Sequence, residues 1–156
     1  MKSRLRTLAF ALLCLALVTC ETPMYRVSVF EPVKSVPPDR ALVYIYRPER
    51  LWLSESEYSV YAKDREVVWL SNGGYYPLLI EPKRTLFWAA LLGTYSITLD
   101  LEPGKTYYLE GSVRWAMGWP TLIGTAEFGI PRLTLVDPSV GAEEIKDCIL
   151  LEPSGP

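Results

Sequence analysis

The chain has no histidine among its 156 residues. That absence removes the usual general base, the commonest zinc ligand and every Ser-His or Cys-His nucleophile arrangement. Carboxylate-only chemistry survives it, as in a glycosidase pair, but no acidic pair stands out: Glu143-Glu144 and Asp100/Glu102 read as solvated surface charges. There is no P-loop, no G-x-G-x-x-G after a strand and no metal-ligand spacing. The sequence therefore assigns no catalytic residue, no cofactor and no metal, and the expectation is a protein that is not an enzyme. A basic stripe interleaved with aromatics is also missing, which excludes nucleic acid as a partner.

Lys2, Arg4 and Arg6 open the chain. The apolar run from Leu8 to Val18 then has the length and flanks of a secretory h-region and is too short to span a bilayer comfortably. It ends in Leu17-Val18-Thr19-Cys20, which reads as a lipoprotein processing site: a signal over residues 1–19, cleaved before Cys20, whose thiol is then diacylated. Thr19 stands where Gly, Ala or Ser is commoner; an ordinary cleaved signal peptide and a retained N-terminal anchor are the alternatives. The mature protein would be a soluble domain tethered to a membrane through Cys20. Three of the 16 Lys and Arg leave with the signal, so 13 basic residues face 18 acidic ones, a balance of −5.

Cysteine is equally scarce. Cys14 leaves with the signal and Cys20 is spent on lipid, so Cys148 stands alone and reads as a buried, inert thiol. Pro23, Pro32, Pro37 and Pro38 make residues 20–40 a flexible tether, followed by one domain over 41–152 and a tail over 153–156. An acidic residue such as Glu21 after the acylated cysteine can favour inner-membrane retention, but glutamate is a weaker signal than aspartate, so the outer membrane is slightly favoured over the inner, with the domain in the periplasm.

From Ala41 the apolar pattern has period two, with turn residues at short intervals. Leu42, Tyr44 and Tyr46 share one face and Val43 and Ile45 the other, which predicts a central strand buried on both sides. Tyr58 to Ala62 and Val67 to Leu70 form a hairpin about Lys63-Asp64-Arg65, whose turn lacks glycine. Pro77 demotes Tyr75 to Ile80 to an edge or irregular strand. Thr85 to Leu92 is continuous rather than alternating, leaving strand and short helix both open. Tyr95 to Leu101 and Tyr107 to Trp115 alternate on either side of Glu102-Pro103-Gly104-Lys105, a type II turn that predicts a hairpin. Asp137-Pro138 is an N-cap and first-turn proline opening a short helix to about Lys146, after which Cys148 to Leu151 returns as a strand or a tail. The connections are too short for βαβ crossovers, so the fold class is all-β (mainly β): an antiparallel two-sheet β-sandwich with a short C-terminal helix.

At Ala41-Leu42-Val43-Tyr44-Ile45-Tyr46-Arg47-Pro48 and at Leu101-Glu102-Pro103-Gly104-Lys105-Thr106-Tyr107-Tyr108-Leu109 the chain resembles the bacterial domain of unknown function 2846, a family of lipoproteins and secreted proteins. The order of parts over residues 40–150 is similar too. Pro82-Lys83-Arg84 departs from the Pro-Gly turn usual there, and the segment 115–124 is richer in Trp and Gly. The resemblance implies an Ig-like or transthyretin-like sandwich and brings no catalytic residue.

Five tryptophans and ten tyrosines remain to be explained. At alternating spacing such rings fill a core or cover a sheet face. Trp52, Trp115 and Trp119 fall instead at strand ends or in loops, and with Met117 they are the candidate contact residues. One reading is a non-catalytic, lipid-anchored envelope protein that presents segment 115–124 to another envelope protein or to lipid. The other is a carbohydrate- or peptidoglycan-binding module whose surface Trp and Tyr rings lie in one plane.

Overall fold

The computed structural model describes residues 30–51, 56–121 and 124–154, with side chains outside 115–128. Cys20 and Trp52 lie outside the described residues. In chain order the strands are β1 (Ala41–Tyr46), β2 (Tyr58–Ala62), β3 (Arg65–Leu70), β4 (Gly74–Ile80), β5 (Arg84–Ala90), β6 (Thr94–Asp100), β7 (Thr106–Thr121), β8 (Gly124–Val136) and β9 (Ile149–Leu150). Helix α1 (Pro138–Glu144) and a 3-10 turn, Ile145–Asp147, separate β8 from β9. The strands form a five-stranded sheet, β8-β7-β1-β4-β9, and a four-stranded sheet, β3-β2-β5-β6. The predicted two-sheet sandwich is thus observed, and Thr85 to Leu92 is resolved in favour of a strand, β5.

Two pairings depart from the antiparallel expectation. β1 runs parallel to β7, with Leu42 opposite Thr106 and Tyr46 opposite Glu110, and β4 runs parallel to β9. The reason lies at residues 102–105. The turn forms as predicted, with Gly104 at φ 72° and the Lys105 N–H directed at the Glu102 carbonyl. It does not close a hairpin: Leu42 N–H donates to the Lys105 carbonyl, so β7 joins β1, while β6 stays with β5 in the other sheet. A tight turn fixes the local reversal of the chain and leaves open which sheet each arm enters.

β1 is buried along its whole length, as expected of a central strand. Ala41, Val43 and Ile45 face the inter-sheet core with Tyr58, Val60, Phe87, Leu109 and Leu133. Leu42, Tyr44 and Tyr46 face the other way, into a second cluster with Tyr75, Ile145 and Cys148. Asp137 caps the helix over that face, accepting from Ser139 N–H at 2.9 Å. Glu144, read as a solvated charge, instead accepts from the Tyr46 hydroxyl at 2.7 Å. The rest of the covering comes from the expected tether. Phe30, Val33 and Val36 pack on the cluster, Phe30 meeting Tyr44 and Tyr75 edge-on at 5.6 and 5.1 Å. Residues 30–36 are therefore part of the domain, because the apolar face of β1 gives these side chains something to bury against. The expected tail is also tied down, with Pro153 bridging Val68 and Ser154 N–H donating to Val67.

Local chemistry explains the remaining irregularities. The β2–β3 turn, which lacks glycine, puts Lys63 at φ 56° and anchors its N–H on the Leu86 carbonyl. Pro77 lies opposite Tyr44. Because Arg47 N–H donates to Gly74, bonded pairs alternate along β1–β4 and Pro77 falls at a non-bonded position. β9 reaches only Gly74 and Tyr75, so the missing N–H faces a stretch of β4 without a neighbouring strand among the described residues. The proline is edge-like in hydrogen bonding although β4 is interior in strand order.

The buried acids of the second cluster give the fold an alkaline limit. Burial, reinforced by Asp147 and Glu144, pushes the Cys148 thiol up to about 12, and burial raises Tyr44, Tyr46 and Tyr108 as well, with the Glu144 hydrogen bond adding to Tyr46. In each case the neutral form is favoured in the folded protein. Stability should be fully present below the unfolded values, 9.0 for the thiol and 10.0 for tyrosine, and fall as the pH rises from there toward the folded ones. Urea midpoints measured between about pH 7 and 11 should be level at first and drop at the alkaline end; a flat profile would contradict this burial.

Candidate functional site

Past Glu110 β7 leaves β1 and pairs with β8 alone, forming a two-stranded ribbon to Thr121 and Gly124. The candidate residues Trp115, Met117 and Trp119 thus stand inside a strand, not at strand ends or in loops as expected. The ribbon also separates them. A bulge between Trp115 and Met117 sets Trp115 opposite Gly129 but Met117 opposite Phe128, and Trp119 then pairs with Ala126. Gly129 and Phe128 are consecutive, so they belong to opposite faces. Positions 117, 119, 126 and 128 share one face, and 115 belongs to the other. A one-residue bulge is invisible in the alternation of the sequence, which is why the three residues looked like one group.

The root of the ribbon has a feature the sequence reading missed. β8 is the outer strand of its sheet and pairs only with β7 among the described residues. Its large apolar side chains Ile130 and Leu135 are 39% and 45% exposed. Leu135 also lines a cleft of about 270 Å³ with Tyr107, Val136, Pro138, Lys105 and Glu102. β8 passes close to β5 and β6, with Ile130 about 4.0 Å from the Cβ position of Gly93, but it pairs with neither, so its outer backbone N–H and C=O groups can still take an added strand. Pro131, in the middle of β8, limits how far such pairing runs. The only sequence signal was the alternation of Arg132 to Val136, which places a strand but not its lack of a neighbour.

The outer face of the four-stranded sheet is also uncovered. Tyr61 and Trp88 face each other across β2–β5 and stack at 3.8 Å with an interplanar angle of 5°. The Trp88 indole donates to the Lys63 carbonyl at 2.7 Å, and Ser59 and Tyr61 hydroxyls both donate to Glu66 at 3.1 Å. Trp69 is 58% exposed on the same sheet. The stacked pair covers its own ring faces, so it is not two rings side by side in a plane.

Arg47 is 2% exposed, its guanidinium 5.8 Å over the Tyr58 ring and donating to the Ser56 carbonyl; burial lowers its pKa. At the Ala41 end of β1 a second cleft, of about 240 Å³, is rimmed by Arg40, Lys63, Arg65 and Lys83. Lys83 is paired with Glu81 there, and Arg40 lies 3.6 Å from Asp39. Cys148, at 2% exposure, has its thiol directed at the Arg47 and Glu144 carbonyls, the buried setting expected for it. No family model, curated protein or solved structure matches the chain.

Proposed function

We propose that this chain is a lipid-anchored cell-envelope protein, acylated at Cys20, whose non-catalytic sandwich serves envelope assembly by binding another envelope protein along β8. The observation that carries the reading is the outer edge of β8, which has no strand partner beyond β7 among the described residues, with Leu135 exposed on the cleft it lines with Tyr107 and Pro138. The N-terminal signal pattern and the resemblance to the domain of unknown function 2846 support the anchor and the envelope setting. Tethering raises the effective concentration of any partner in the same membrane, so a modest edge contact suffices for capture. Glu21 is only a weak inner-membrane retention signal, so the outer membrane is slightly favoured, with the domain in the periplasm.

A peptidoglycan-binding role is the second reading, favoured by Trp69 and the Ser59–Glu66–Tyr61 cluster on an uncovered sheet face. The mutual stacking of Tyr61 and Trp88 weighs against it. One experiment separates the two. A photo-crosslinking residue is placed at Leu135 and, as control, at Lys83, in the turn before β5 on the rim of the second cleft, and the protein is purified from bacterial membranes. The expected result is one recurrent protein adduct from position 135, none from 83, and a diacylglyceryl mass on the wild type that C20A lacks. Retention on purified sacculi without any position-135 adduct would install the glycan reading. A chain without acyl mass would remove the anchor.

A further inference from the structure

We infer that the distal face of the β7–β8 ribbon, at positions 117, 119, 126 and 128, seats in the interface of the bilayer that holds the anchor. The inference rests on acylation of Cys20 and names lipid as the occupant of the ribbon tip, leaving the root edge of β8 for protein. Chain direction is the first argument. β7 runs parallel to β1, so the ribbon projects beyond the Tyr46 end of β1. The N-terminal segment arrives over the same end: Val33 N–H donates to the Tyr44 hydroxyl at 2.8 Å and Glu31 N–H to the Tyr75 hydroxyl at 3.3 Å, and Tyr75 pairs with Tyr46. Followed back from Ala41, the described chain thus returns across the sheet and begins at Phe30 near the end from which the ribbon extends.

Length is the second argument. Ten Cα–Cα steps lead from Cys20 to Phe30 and reach at most about 35 Å. The ribbon from Gly111 to Thr121 is 11 residues, about 36 Å at strand rise. The docked N-terminus therefore keeps the domain within the ribbon's own length of the membrane. Composition is the third. No charged residue occurs from Trp115 to Ala126, while Arg114 and Arg132 are exposed at the root, where they can meet lipid phosphates. Tryptophan suits the boundary, apolar in its ring and polar at its N–H. The open backbone edges of a two-stranded ribbon cannot enter hydrocarbon unpaired, which limits the seat to the headgroup boundary, about 5–10 Å deep.

The test uses the full chain purified from bacterial membranes and reconstituted in phosphatidylethanolamine–phosphatidylglycerol vesicles whose acyl chains carry bromine. Tryptophan fluorescence should be quenched, and W119F should remove most of the quenching with its thermal midpoint unchanged. A126E, which puts a charge on the same face, should give the same loss if W119F folds poorly. In the C20A background, W119A should lower partitioning onto the same vesicles by roughly tenfold, the worth of burying most of one large ring. Quenching that persists in both W119F and A126E, or an acylated wild type with none, overturns the inference and leaves the protein-binding reading standing. If the acyl mass is missing, the anchor reading fails by itself, and the C20A comparison decides: Trp119-dependent partitioning supports a lipid-seeking ribbon, and its absence overturns it.

Discussion

Phe87→Ala should cost about 3–5 kcal/mol of folding stability, enough to lower the thermal midpoint by roughly 10–20 °C. Phe87 is fully buried on β5, an interior strand of the four-stranded sheet, with Ala62 opposite on β2 and Ile97 opposite on β6. Both neighbours are smaller, so the ring is the main filling of that part of the inter-sheet space, and its loss leaves a cavity that the two sheets cannot close without shifting register. Thermal and urea unfolding of the purified domain check it. A cost under about 1 kcal/mol would mean that the sheets do not enclose Phe87 as described.

Gly111→Val should be as severe for the opposite reason, with an expected loss of about 3 kcal/mol or more and much of the protein insoluble on expression. A Cβ at Gly111 would stand 2.4 Å from the Leu70 Cδ2 and 2.4 Å from the Tyr58 hydroxyl, and 3.5 Å from the Tyr46 carbonyl. Tyr58 has little room to yield, since it is buried and Arg47 lies over its ring. Gly104→Ala supplies the contrast. Nothing lies within 4 Å of its Cβ position, but its φ is 72°, so only conformational strain of about 1 kcal/mol is expected. Equal costs at the two sites, read from urea midpoints, would show that crowding at the ribbon root has been misjudged. Gly111 is where β7 leaves β1, so this packing also sets the position of the ribbon.

The features of the fold that were legible in the sequence are those carried by short-range pattern. Alternation in Ala41 to Tyr46, the Asp137-Pro138 cap and the Pro103-Gly104 turn each depend on residues a few positions apart, and each is found where expected. The parallel partnership of β1 with β7 depends on residues far apart in the chain, and nothing in either strand announces it. The docking of Phe30 was hidden by the prolines around it, which describe a stiff, extended segment equally well free or packed. The candidate site divides in the same way. Tryptophan and glycine content marked residues 115–124 as unusual, but the bulge that parts Trp115 from Met117 and Trp119 has no residue signature. The exposure of Ile130 and Leu135 follows only from the position of β8 at the end of a sheet.

The parallel pairing at the centre of the five-stranded sheet also sets the order in which the molecule can be made. β1 is the first strand of the domain to emerge in synthesis, yet its neighbours are β4 and, much later, β7. Its six buried residues, Ala-Leu-Val-Tyr-Ile-Tyr, must wait for most of the chain before both edges are paired. Contacts so distant in sequence fold slowly, because the loop they close must be ordered before they repay its entropy. In the interval a hydrophobic, uncharged strand is available to the wrong partner. Refolding should therefore be slow and prone to aggregation at high concentration, and a chaperone that shields β1 should raise the yield more than it raises the stability.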